Sequence, residues 1–225
     1  MERVTVLMAD TTVDQAASAG YRLLVCAAVR AAPRGEPLLW FQSGTLAMST
    51  ELVWDSDWSA YTAPAGDGVT LRNTYSLGLG ETLLVTAPTG TGHVEPTGTA
   101  GAVTVLNQTK TGFGAGLARS GPDGRAAAVC AVPLFGGTQA VVEPVPKVFL
   151  EMSAQPRRTG LPLLAADGPG VLLDLAPGGR TVRFDLNLGW SWTGAGAEAV
   201  PAGTALAPLL VTGRPPVGLA IAVPR

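Results

Sequence analysis

Arg180-Thr181-Val182-Arg183-Phe184-Asp185-Leu186 alternates polar and apolar side chains from Thr181 on. Successive side chains on a strand point to opposite faces, so this run predicts a strand with one wet face and one buried face. Similar short runs of Val, Leu, Thr and aromatics fill the rest of the chain. Glycine (29 residues) and proline (18) punctuate them roughly every ten residues, the rhythm of short strands joined by turns. The pattern predicts strands near 3–9, 21–31, 37–43, 50–62, 68–77 and 81–87, then 102–109, 112–119, 125–134, 138–143, 146–153, 170–175 and 180–188, and finally 205–212 and 217–223. Gly121-Pro122-Asp123-Gly124 and Ala176-Pro177-Gly178-Gly179 read as hairpin connections. A helix is expected only at 12–18, with Thr12 as N-cap, Gln15 at its third position and Gly20 as terminator.

No alternation of helices with strands is visible, which argues against an α/β fold. The expected class is all-β: an antiparallel β-sandwich, with a partly closed barrel as the alternative. Short matches further imply an internal duplication. Val4-Thr5-Val6-Leu7 recurs as Val103-Thr104-Val105-Leu106, Val25-Cys26-Ala27 as Val129-Cys130-Ala131, and Gly44-Thr45-Leu46-Ala47 as Gly137-Thr138-Gln139-Ala140. Trp58-Ser59-Ala60 is echoed by Met152-Ser153-Ala154. The order is kept and the offset stays near 100 residues, which predicts two pseudo-repeats, 1–99 and 100–198. The Gly/Thr/Pro-rich stretch 88–101 reads as a loop at their seam. With C-terminal strands in 199–225 completing a sheet begun elsewhere, residues 1–225 are expected to form a single β domain.

Composition narrows the function classes. Apolar residues make up 47% of the 225 and charged residues 14%, against about 25% charged in an average globular chain. Lys110 and Lys147 are the only lysines, and the net charge is −2. No basic patch is dense enough for nucleic acid, whose affinity comes largely from neutralised phosphates. So little charge predicts that part of the surface is covered, by a partner subunit in a homo-oligomer or by an apolar ligand. A high-GC bacterial genome produces the same bias. No apolar run reaches the length of a transmembrane helix. Residues 1–5 do not resemble a secretory signal, which predicts a cytoplasmic protein. Cys26 and Cys130, at matching places in the two copies, read as buried free thiols, with a disulfide between them as the other reading.

Few residues carry obvious chemistry. His93 is the single histidine and lies in the glycine-rich stretch 90–95; a Ser-His-Asp triad or a His-centred metal site would have to use it. No metal site and no cofactor are predicted, and no phosphate-cradling loop motif occurs. The most informative cluster is Trp54-Asp55-Ser56-Asp57-Trp58. On a continuous strand Asp55 and Asp57 share one face, while Trp54 and Trp58 share the other and offer π faces to a cationic or sugar-like ligand. Two nearby carboxylates can divide into an acid and a base once one is desolvated. The repeat offset sets Glu151 opposite Asp57, so Asp55, Asp57 and Glu151 are the candidate catalytic acids. Trp54, Trp58, Trp190 and Trp192 are the candidate ligand-binding residues, the last two forming the pair Trp190-Ser191-Trp192. Arg157-Arg158 reads as a solvated turn.

Two functions fit these residues. One is a binding or assembly module for a hydrophobic or sugar-like small molecule, consistent with low charge, paired tryptophans and few catalytic groups. The other is a cofactor-independent enzyme, of cyclase or isomerase type in secondary metabolism, using carboxylates in an aromatic-lined pocket. A membrane-active β protein is a weaker third reading, because two lysines give little attraction to anionic lipid.

Overall fold

A computed structural model describes residues 1–65 and 69–213. Strand accounts for 51% and helix for 6%, so the chain is all-β. It begins with β1 (Glu2–Leu7), α1 (Asp10–Ser18), β2 (Arg22–Ala32), β3 (Glu36–Pro37), β4 (Phe41–Gln42), β5 (Ser49–Trp54) and β6 (Ser59–Pro64). There follow β7 (Asn73–Ser76), β8 (Thr82–Val85), β9 (Gly92–Glu95), β10 (Val103–Asn107), β11 (Phe113–Ser120), β12 (Ala126–Ala128) and β13 (Cys130–Leu134). The long β14 (Gln139–Ser153) leads to β15 (Gly170–Asp174), β16 (Arg180–Asp185), β17 (Gly189–Trp192), β18 (Ala197–Val200), α2 (Ala207–Leu210) and β19 (Val211–Gly213).

Three sheets result. A four-stranded sheet runs β17-β16-β1-β5, and a six-stranded sheet runs β3-β13-β11-β6-β7 with β12 beside β11. The nine-stranded sheet follows the path β18-β15-β14-β10-β8-β9, and β2 pairs with β14, β4 and β19. Most pairings are antiparallel; β1 with β16, β8 with β10 and β2 with β19 are parallel.

Burial explains the strand compositions. Leu23, Val25, Ala27, Val29 and Ala31 of β2 point into the main core, which the three sheets enclose. Leu24, Cys26 and Ala28 point the other way, into a second cluster capped by Leu163, Ala166, Leu206 and Leu210. A strand buried on both faces reads as an unbroken apolar run, which is what residues 23–29 show. The half-exposed β16 keeps the strict alternation instead, with Val182 and Phe184 inward. Cys26 and Cys130 fall in different clusters; both are free and buried.

Several local expectations are corrected. The stretch 50–62 is two strands, with residues 55–58 as the loop between them. The two strands expected at 138–143 and 146–153 are one, Gln139–Ser153, interrupted by a bulge between Pro144 and Val148, where proline's missing N–H is tolerated. Residues 88–101 contain β9, a hairpin partner of β8 that includes His93. Pro208, in the first turn of α2, turns part of the expected strand 205–212 into helix. The 176–179 turn joins β15 to β16 in different sheets and so is not a hairpin; 121–124 does join β11 to β12. The helix starts at Asp10 after Ala9, with no side-chain cap from Thr12. Its end is as expected: Gly20 at φ 75°, with Gly20 and Tyr21 amides donating to Ala17 and Ala16 carbonyls, a Schellman closure. The expected strand 217–223 lies outside the described residues, but β19 does complete a sheet begun by β2.

The pairings do not confirm the internal duplication. β1 and β10, which carry the strongest match, each have one parallel and one antiparallel neighbour. The parallel partner of β1 is β16, far downstream, whereas that of β10 is β8, just upstream. Cys26 pairs with Phe149 in the nine-stranded sheet and Cys130 with Pro37 in the six-stranded sheet.

Candidate functional site

The β14 strand places Phe149 and Glu151 on one face and Leu150 and Met152 on the other. Glu151 lies between Leu24 of β2 and Gly170 of β15 and is fully buried. A carboxylate in such a position needs partners. The Gly168 amide donates to its Oε1 at 2.6 Å, while Oε2 is buried with no partner. Burial pushes its pKa up to about 7; the Gly168 amide pulls the other way and the nearby Asp167 charge adds to the rise. Gly170 clears the strand's other large neighbour, since a Cβ there would stand 2.3 Å from the Phe149 ring.

Loop 154–169, between β14 and β15, covers this strand end. Arg157 holds Asp167 with both ends of its fork, Nε to Oδ2 at 3.0 Å and Nη2 to Oδ1 at 2.5 Å. Ser153 Oγ donates to Asp167 Oδ2 at 3.3 Å. Arg157 is therefore half of a loop clamp and not a solvated turn residue.

A cavity of about 480 Å³ opens beside the clamp, walled by Tyr21, Ser153, Asp167, Phe184, Leu188 and Trp190 among others. Gly168, which binds Glu151, also lines it. The Trp190 ring sits 5.1 Å from Phe184, tilted at 56°, and Trp190 Nε1 donates to the Pro169 carbonyl at 2.9 Å. That bond orients the indole and leaves ring surface to the cavity. The β16–β17 turn is tied by Asp185, whose carboxylate accepts from the Asn187 and Leu188 amides; these bonds lower the Asp185 pKa. Leu188 at the tip is 87% exposed. Trp192 packs against the main core and does not line the cavity.

The Trp54–Trp58 run builds something else. Asp55, Ser56 and Asp57 are exposed loop residues, so the two acids do not share a strand face. Trp54 is 3% exposed, meets Trp40 edge to face at 5.2 Å and donates to Glu2 at 2.5 Å. Between the rings lies Arg119 of β11, 4% exposed. Its guanidinium carbon stands 4.3 Å from the Trp58 ring centre, 5.3 Å from Trp40 and 5.8 Å from Trp54. It donates to the Asp55 carbonyl and to Glu2 at 3.4 Å. Burial lowers the Arg119 pKa, and Glu2, Asp55 and Asp57 oppose that. The cation seated on Trp54 and Trp58 is thus the chain's own.

Of the candidate acids, Glu151 lies behind the Trp190 cavity, whereas Asp55 and Asp57 belong to the Arg119 cluster and do not line that cavity. The charged groups acting on Glu151 are Asp167 and Arg157; no shared-proton pair with Asp57 forms. Sequence reading missed Asp167 and Arg119. Asp167 reaches the site through a loop whose path no spacing reveals. Arg119 did leave a sign, as a lone cation ending the apolar run Phe113-Gly114-Ala115-Gly116-Leu117-Ala118. Exposed His93 stands 3.5 Å from Glu95. Among the described residues no three His, Cys, Asp or Glu side chains are grouped to hold a metal ion, and no helix is long and apolar enough to cross a membrane. Comparison of the chain with protein-family models, with curated proteins and with solved structures finds no match.

Proposed function

We propose that this protein is a binding module for a hydrophobic or sugar-like small molecule held in the Trp190 cavity, and that it works as a homo-oligomer. The observation that carries the reading is the cavity itself. Its volume falls within the range of small-molecule sites, and an aromatic wall of Trp190 and Phe184 faces a few placed polar groups, Ser153, Asp167 and Tyr21. Such a wall suits an apolar body or the C–H face of a sugar. Titration with neutral Nile red and, separately, with maltose tests this by fluorescence. At least one probe saturates on the native protein, and Trp190→Ala weakens that binding at least tenfold. Failure of both probes to saturate, or an unchanged affinity in Trp190→Ala, overturns the reading.

Glu151 supports the second reading, a cofactor-independent enzyme. A buried carboxyl with a pKa near 7 is matched to proton transfer at neutral pH. In that reading Glu151 is the acid–base group, while Asp55 and Asp57 act at most through Arg119.

A further inference from the structure

Tyr21 and Arg22 are consecutive where the chain enters β2. Tyr21 lines the Trp190 cavity, and Arg22 lines a second one, of about 760 Å³. The two cavities thus lie at the same end of the nine-stranded sheet, separated by β2 and reached from different sides. Arg125, just after the β11–β12 turn, lines the second cavity as well.

Charge sets this cavity apart. Its charged lining residues are Arg22, Arg125 and Asp123, giving a local excess of one positive charge on a chain of net charge −2. Among the described residues neither arginine has a carboxylate within 4.0 Å. Asp123 Oδ1 accepts from the Arg125 backbone amide at 3.1 Å and makes no ion pair with either guanidinium. Arg3, Arg30, Arg119 and Arg157, by contrast, each have a carboxylate. The rest of the wall is mixed: half-buried Phe41, Val69 and Leu71, with Ala127 and Ala128, form an apolar side, and Ser43 and Thr159 add polar groups. Gln42, on the same wall, has a buried amide oxygen without a partner.

The geometry points to a second ligand site in which Arg22 and Arg125 hold the carboxylate of an organic acid whose ring or apolar body lies against Phe41, Val69 and Leu71. Guanidinium groups match carboxylates in shape and donor spacing. An apolar body gains from the wall what a bare inorganic anion cannot. This site is independent of the Trp190 cavity.

Isothermal titration of the full chain with 2-naphthoate tests the assignment, using neutral 2-naphthalenemethanol and inorganic phosphate as comparison ligands. Naphthoate binds one to one, and its affinity falls as salt rises. The alcohol and phosphate each bind at least tenfold more weakly. Arg22→Gln and Arg125→Gln, both exposed positions, each weaken naphthoate about tenfold, the effect of losing about 1.4 kcal/mol. The proposal is overturned if naphthoate does not saturate, if its affinity survives the double variant, or if the alcohol or phosphate binds as tightly. The salt dependence is read on the unaltered protein, so a variant that fails to fold does not remove the test.

Discussion

Glu151 has one oxygen bonded to the Gly168 amide and the other to nothing, and its burial has a consequence for stability. Folded, it keeps its proton up to about pH 7, against an ordinary value of 4.5. Between those values the folded state binds more protons than the unfolded state, so stability falls as pH rises. The contribution is intact below about pH 4.5 and lost above about 7, with an upper bound of about 3 kcal/mol. Glu151→Gln removes the titration and keeps an oxygen for Gly168. Urea unfolding at pH 4.5 and pH 8 should show the variant gaining on the native protein at the higher pH by about 1–3 kcal/mol. An equal difference at both pH values would show that Glu151 does not hold its proton. Arg119 illustrates the opposite solution to burial. It remains charged, because guanidinium cannot readily lose its proton, and three tryptophan faces at about 0.5–2 kcal/mol each offset its desolvation. The run 54–58 reads in the sequence as π faces for a cationic or sugar-like ligand; that the chain's own Arg119 from β11 sits on them was not legible, because contacts this distant in sequence leave no periodic trace.

Strands meet closely where a side chain is missing. In β11, Phe113, Gly114 and Ala115 pair with β13, while Ala118, Arg119 and Ser120 pair with β12. Gly116 sits at the changeover, and a Cβ there would stand 2.2 Å from the Cys130 carbonyl oxygen. Gly116→Ala should therefore push β11 and β13 apart and destabilise the fold by about 1–3 kcal/mol, the usual cost of overpacking, read as a lower urea midpoint. A change below about 0.5 kcal/mol, the scale of neutral surface substitutions, would mean that the strands separate freely here. Strands β1, β2, β8, β10, β11, β15 and β16 were legible in the sequence because burial on one or both faces writes the pattern directly; even the four-residue β8 is buried throughout. β9, β17 and β18 were not: they have the same length, but their burial neither alternates nor is continuous, so no pattern is written. The break at 55–58 was hidden because Trp-Asp-Ser-Asp-Trp alternates as a strand would, while its aspartates and serine face solvent together. Of the candidate site, Glu151 and Trp190 were legible as residues, but their neighbourhood depends on loop 154–169.

The whole molecule presents several large apolar side chains to solvent, among them Leu188 at 87%, Phe135 at 65% and Leu164 at 53%. With 14% charged residues, self-association is the expected use of such a surface, through an interface burying more than about 1,000 Å² in total. Light scattering at micromolar concentration should give a mass at least twice the 22.9 kDa of one chain; a clean monomer would return the composition to genome bias. The order of the strands carries a further consequence. β1 lies between β5 and β16, and β2 between β14 and β19. β1 and β2 thus wait for residues 180–183 and 211–213, made long after them, before both their edges are covered. Folding is accordingly dominated by distant closures, which makes it slow, and the nascent chain carries open apolar edges over the whole interval between these strands, when aggregation competes most strongly.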